Sequence, residues 1–324
     1  MNRFVVNDLI LPASGTYHTV FVSAGYESRC TAIASNFAGA ARNKVALIYE
    51  DDRHERTAAN REALRILGYS EVMYSKDKLR HQIATIVLEA ASSPEALERR
   101  ILVDISSMTR EIMAHWIYQA MSTKVPHDVV IDFGYSHAKF IPPNERVSLA
   151  KAPSAIIPEF AGCFEYPTAP IMLVIGIGYE PQLALSFLEY IEPAKVVVFE
   201  PSHHDREYTD AINRINRTFL KIVSNSPHLN YNVYKPYLLF QDLESVIRGG
   251  SAEYRVQVAP YGLKLFVISS LLASAVNFPN VLVWHLNSET SLVDVGDRVP
   301  SGRLSGLAVR FTCSDGVADG LTMV

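Results

Sequence analysis

Short unbroken apolar runs alternate with helix-length amphipathic segments along most of the chain. The runs over 19–24, 44–49, 71–75, 101–105 and 129–133 predict one set of strands, and those over 171–175, 195–199, 230–234, 254–259 and 281–286 a second. The intervening patterns predict helices over 29–37, 56–67, 79–90 and 108–121, then over 181–190, 205–223, 238–247 and 263–276. Strands that stay apolar without alternation are buried on both faces, and helix-length crossovers between them imply parallel pairing. Right-handed crossovers then wind each set into a doubly wound, Rossmann-like layer.

The two sets are copies. VFVSAGYESR from Val20 returns as LVIGIGYEPQ from Leu173, and KVALIYEDDR from Lys44 returns as KVVVFEPSHH from Lys195. ILVDISSMTREIMAHW from Ile101 is echoed by YRVQVAPYGLKLFVIS from Tyr254, and DVVIDFGYS from Asp128 by NVLVWHLNS from Asn280. Tyr26 and Tyr179 stand 153 positions apart, Tyr49 and Phe199 150, and Val129 and Val281 152. A steady offset over four blocks marks an internal duplication. The expected organisation is a first unit over 1–140, a proline-rich linker over 141–170, and a second unit over 171–324. The second unit ends in a β extension, read as a strand pair over 292–295 and 307–312.

Composition narrows the function classes. Of 324 residues, 48% are hydrophobic and 20% charged, as in an ordinary globular protein with room for two domains. The net charge of −4 offers no global attraction for duplex DNA or anionic lipid, so phosphate binding must be local. No run approaches the roughly 20 apolar residues of a membrane span. Cys30, Cys163 and Cys313 are too far apart in sequence for a C-x-x-C pair, which points to reduced thiols in a cytoplasm and gives no support for zinc. No cofactor and no metal are expected.

Ligands of an open parallel sheet bind at the carboxyl ends of its strands, where three features fall. The first is the repeated small turn, with Ser23, Gly25, Tyr26, Glu27 and Arg29 in one copy and Gly176, Gly178 and Tyr179 in the other. Glycine lets backbone approach a ligand there, and the next helix offers free N–H groups to an anion. Neither turn completes G-x-G-x-x-G. The second feature is an acid just past the second strand, Glu50 or the better placed Glu200, where ribose-binding acids sit in dinucleotide folds. His203 and His204 follow it, but adjacent histidines are expected to point apart and not to share a metal.

The third feature is the most specific. Asp104 ends an apolar strand, and Ser106, Ser107, Thr109 and Arg110 gather at the start of the next helix, where hydroxyls, N–H groups and a guanidinium suit a phosphate. Simple helix capping by Ser106 or Ser107 is the competing reading. The second copy has Tyr261, Gly262 and Lys264 here and no acid. Trp116, Trp284 and His115 read as core. No G-x-S-x-G elbow is present, so a serine hydrolase is not proposed.

The VDISSMTR block resembles the D-x-[ST]-G-G-T-K turn after the fourth strand of CRISPR-associated Rossmann-fold (CARF) sensor domains. Two such units in one chain resemble the SAVED sensors of bacterial immunity. The matching positions are Asp104, Ser106, Thr109 and Arg110, with Gly262 and Lys264 in the second copy. Ser107 and Met108 stand where the family has small residues. The resemblance implies a cyclic oligonucleotide ligand held by the turns after strands one and four, an anti-phage role, and a separate effector chain. Two other classes stay open. One is a nucleotide hydrolase or transferase using Asp104 or Glu27, and the other a non-catalytic scaffold of a defence complex, either of which could homo-oligomerise.

Overall fold

A computed structural model describes residues 1–11, 15–49, 55–143, 152–162, 167–180, 182–286 and 296–313. The first unit runs β1 (Arg3–Leu9), β2 (Tyr17–Ala24), α1 (Ala32–Phe37), β3 (Ala41–Ile48), α2 (Glu55–Ile66), β4 (Ser70–Met73), α3 (Lys76–Ala91), β5 (Arg100–Asp104), α4 (Arg110–Ser122) and β6 (Val129–Ala138). A short β7 (Ser154–Ala155) lies in the linker. The second unit runs β8 (Ile171–Gly176), α5 (Leu183–Ile191), β9 (Lys195–Ser202), α6 (Arg206–Ile215), α7 (Arg217–Ile222), β10 (His228–Asn232), α8 (Pro236–Gly250), β11 (Arg255–Ala259), α9 (Lys264–Val276) and β12 (Val281–His285). A long β13 (Pro300–Thr312) follows.

The fold is α/β, with two Rossmann-like sheets. In the first, order β1-β13-β6-β5-β2-β3-β4, the strands from β6 to β4 are parallel. In the second, order β10-β9-β8-β11-β12-β7, only β7 is antiparallel. The strand order reverses between β2 and β5 and again between β8 and β11, so each unit has its switch point where the repeated turns lie. All eight residues of β2 are buried, which is why the sequence carries no alternation there.

The units share one core. Trp116 and Ile117 of α4 belong to the same apolar cluster as Leu271 and Leu272 of α9, and α8 also packs against β1 and β13. Trp116 is fully buried against Phe21, as its apolar setting predicts. The carboxyl ends of both sheets consequently meet along one seam.

Four features depart from the sequence expectation. The N-terminal stretch is a strand, β1, because β13 is available to pair with it antiparallel from Arg3↔Thr312 to Leu9↔Gly306. That same β13 lies between β1 and β6, so the C-terminal extension completes the first sheet and not the second; the expected strand over 292–295 lies outside the described residues. The expected helix over 205–223 breaks at Asn216, whose side chain turns inward to Gly178 O (2.9 Å) and Ile212 O. The linker does more than connect: Ile156, Ile157 and Phe160 are buried and β7 adds to the second sheet. Arg80 of α3 pairs with Glu159 there.

Candidate functional site

The first turn is built around a buried arginine. Arg29 is 1% exposed; its Nε donates to Glu27 Oε2 at 2.7 Å, and its Nη1 donates to Tyr135 OH at 2.7 Å and Ser136 O at 3.1 Å. A guanidinium this deep persists only when every donor is directed, and here β6 supplies two acceptors. The segment before β13 straps over the same turn. Arg298 Nε lies 3.4 Å from Glu27 Oε1, Asp297 accepts from Ser28 N and Oγ, and Arg298 O accepts from Arg29 N.

The second turn is held differently. A Cβ on Gly178 would sit 2.3 Å from Gly262 Cα, so the turns after β8 and β11 pack backbone on backbone. Gly262 has φ +86°, a left-handed conformation that glycine takes without strain. A Cβ on Gly176 would meet the Phe266 ring at 2.4 Å. These two glycines of β8 and its turn therefore serve packing, where the sequence suggested ligand approach. Gly25 is looser, its added Cβ reaching Ser107 Cβ at 3.0 Å. One asparagine per copy fixes the glycine carbonyl: Asn60 donates to Gly25 O at 2.8 Å, and Asn216 to Gly178 O at 2.9 Å.

The turn after β5 keeps only part of the expected cradle. Asp104 accepts from Ser106 N at 2.8 Å, and Ser106 Oγ accepts from Ser136 N at 2.8 Å, so both polar groups of buried Ser106 are used internally. Thr109 caps α4 by accepting from Ile112 N at 3.3 Å, so capping falls to Thr109 and not to Ser106 or Ser107. Ser107 Oγ and Ser23 Oγ are buried and have no hydrogen-bond partner among the described residues. Burial pushes the Asp104 carboxyl up to about 6, against the pull of the Ser106 hydrogen bonds, Arg29 and Lys264.

Across the seam, the first residues of α4 and α9 reach into opposite units. Arg110 donates to Pro260 O at 2.9 Å, pairs with Glu180 and lies 5.7 Å from the Tyr261 centroid. Lys264 donates to Met108 O. Burial pushes the Lys264 ammonium down to about 7, with Glu27 opposing and Arg29, Arg110 and Arg298 reinforcing. A cation at the first position of a helix also opposes the helix dipole, and here both helices carry one. Glu180 Oε2 and Tyr179 OH are buried and have no hydrogen-bond partner among the described residues.

Other expected residues fall elsewhere. Glu200 is engaged with His228 Nδ1 at 2.5 Å, joining β9 to β10, and takes no part in the seam cluster described here. Tyr261 OH accepts from Leu286 N, a structural duty. Tyr26 is half-buried on its turn. Glu50 lies outside the described residues. His203 and His204 do not point apart: they leave β9 in a turn, where the strand's alternation has ended, and their rings stack at 4.3 Å. Among the described residues no group of His, Cys, Asp and Glu could hold a metal ion.

No family model matches the chain, and no curated protein matches it. Two solved structures align over most of its length. One is the binary complex of leucoanthocyanidin reductase with NADPH from Vitis vinifera, 12% identical, covering 82% of this chain and 92% of that one at a TM-score of 0.26. The other is the cytoplasmic domain of a prokaryotic cation chloride cotransporter, 7% identical, covering 85% and 95% at a TM-score of 0.23. Neither similarity bears on the site.

Sequence reasoning missed Asn60, Asn216, Tyr135, Asp297 and Arg298. The asparagines had a signal in hindsight, since each lies in the segment after the second strand of its copy. Arg298 and Asp297 had none, because their role depends on where β13 pairs. No helix among the described residues is long and apolar enough to cross a membrane. Two open recesses, of about 540 Å³ beside Arg42 and Lys44 and about 390 Å³ beside Lys195, lie at the opposite edges of the sheets.

Proposed function

We propose that the protein is a nucleotide-responsive sensor whose ligand phosphate binds in the seam between the two units. The observation that carries this is Lys264, a part-buried ammonium in the field of Arg29, Arg110 and Arg298 whose described hydrogen bond goes to a neutral carbonyl, Met108 O. Its charged form is disfavoured as the site stands, so an added anion gains attraction from several cations at once. Ser23 Oγ, Ser107 Oγ and Tyr179 OH supply hydroxyls without partners nearby in the turns. The resemblance of the VDISSMTR block to CARF turns supports a cyclic oligonucleotide as the ligand class, an anti-phage setting and a separate effector chain.

Thermal unfolding with a panel of cyclic oligonucleotides tests the proposal, since a ligand at a hundred times its Kd stabilises the folded state by about 2.7 kcal/mol. One member should raise the Tm, Lys264→Met should cancel the rise, and binding at pH 8 should take up a proton as the Lys264 ammonium is restored. No shift with any member, and no proton uptake, would overturn the reading.

Catalysis on a nucleotide is the second reading, favoured by one observation: the Asp104 carboxyl, pushed up to about 6, could exchange a proton near neutral pH. Glu27 fits such a role less well, locked between Arg29 and Arg298. Under this reading Asp104→Asn abolishes turnover of a cyclic oligonucleotide while sparing its binding.

A further inference from the structure

Beyond the cationic centre, a second group of side chains meets at the carboxyl edges of the sheets. His203 and His204 follow β9, Tyr208 lies on α6 and Tyr234 follows β10, all in the second unit. His137 lies near the end of β6 and Arg303 on β13, both in the first sheet. His203 and His204 stack at 4.3 Å, Tyr208 lies tilted against His203 at 4.9 Å, and the stack ends at the exposed His204. Tyr234 flanks both imidazoles at 5.3 Å and 5.6 Å, and the exposed Arg303 guanidinium lies 4.2 Å from the Tyr234 centroid.

Hydrogen bonding fixes the tautomers. The Asp205 backbone N–H donates to His203 Nδ1 at 2.9 Å, so His203 carries its proton on Nε2 and donates it to the Tyr234 oxygen. The single phenol proton then goes to His204 Nδ1 at 3.1 Å. His204 therefore keeps its own proton on Nε2, a donor the chain Asp205–His203–Tyr234–His204 does not consume. Burial holds His203 below the ordinary imidazole range, which favours the neutral form this arrangement needs.

The stack is continuous with the cationic centre. One line of rings runs from Arg29 over Tyr135 (5.1 Å) to His137 (4.9 Å) and Tyr234 (4.7 Å). Another runs from Tyr179, which follows the β8 turn, through Tyr208 at 5.2 Å to His203.

Resting on the nucleotide reading above, we infer that this stack is a base-binding subsite. A nucleobase becomes the next tier on His204, Arg303 and His204 Nε2–H donate to acceptor atoms on its edge, and its phosphate lies toward Lys264. Stacked rings ending at an exposed face suit a planar ligand, and the donors at that face, His204 Nε2–H and the guanidinium N–H groups left over from Arg303's hydrogen bond to Tyr234, suit the acceptor-rich edge of a base. The Nδ1 atoms of both histidines are already occupied, which argues against a metal between them.

The test is calorimetric titration of the full chain with AMP, GMP, CMP, UMP and ribose 5-phosphate, which has the phosphate and sugar without a base. The best nucleotide should bind about tenfold more tightly than ribose 5-phosphate, the contribution of one stacked base. His204→Ala and Arg303→Met, both at exposed positions where folding is not at stake, should each reduce that advantage and leave ribose 5-phosphate binding unchanged. Lys264→Met should weaken nucleotide and sugar phosphate alike. Equal binding of all the ligands, or an advantage untouched by either surface variant, would overturn the base subsite while leaving the anion site standing. No binding of any of them would overturn both.

Discussion

The turns after β2 and β8 began as one sequence, GYES against GYEP, yet one is held by charge and the other by backbone contact. Glu27 is shared by Arg29 and Arg298, with Asp297 clamping Ser28 from outside the unit. Its counterpart Glu180 meets the half-buried Arg110, and the second turn owes its shape to Gly178 lying on Gly262. A duplicated scaffold can therefore keep its geometry while the forces behind it diverge. What results is one asymmetric seam and not two equivalent pockets.

The sharpest way to break that contrast is to remove each glutamate. Glu27→Ala leaves a fully buried guanidinium without its counter-ion and should cost about 3–5 kcal/mol in denaturant unfolding. Glu180→Ala leaves a half-exposed Arg110 that keeps Pro260 O, and should cost about 1 kcal/mol or less. Similar losses at the two positions would refute the division. The glycines invert the order: Gly178→Ala forces atoms into the Gly262 backbone and should cost about 1–3 kcal/mol, whereas Gly25→Ala, which only nudges Ser107, should cost less.

Acid sharpens the comparison from another side, because each unit holds an imidazole that burial pushes far below its ordinary value. Burial pushes His137 down to about 3 and His285 down to about 4. A folded value below the unfolded one of about 6.5 means the unfolded chain binds the extra proton, so stability is full above pH 6.5 and falls as pH drops toward those values. His137→Gln should flatten part of that acid limb in a pH series of unfolding curves, with His285, His18 and His203 contributing to the rest. An effect of similar size lies at the alkaline side. Lys264, near 7 when folded and about 10.4 when unfolded, makes stability rise with pH between those values, and Lys264→Met should remove the rise.

Much of the architecture was readable because burial on both faces writes itself as unbroken apolar runs, and all ten strands expected within the two copies are present. The partner of β13 was not readable, since a strand pattern does not say which sheet it joins. At the site, Arg110 and Lys264 stood out as cations opening equivalent helices, and the seam brings both into one cluster. Ser106 and Thr109 were legible as polar but not as internally satisfied, because Ser106 bonds to Ser136 thirty residues on. Tyr234, His137 and Arg303 carried no local signal; their relation exists only where two sheets face each other.

Among the described strands β1 pairs with β13 alone, so during synthesis Arg3–Leu9 lacks its described partner until Pro300–Thr312 has left the ribosome. At the usual 5–20 residues per second the wait is on the order of 15 s to a minute. The first sheet thus acquires its last strands only after the second has been made, and the Arg298–Glu27 contact that completes the first turn waits for the segment leading into β13. A chain shorter than this carries the turn without its strap, and only one extended through Thr312 can carry the finished site.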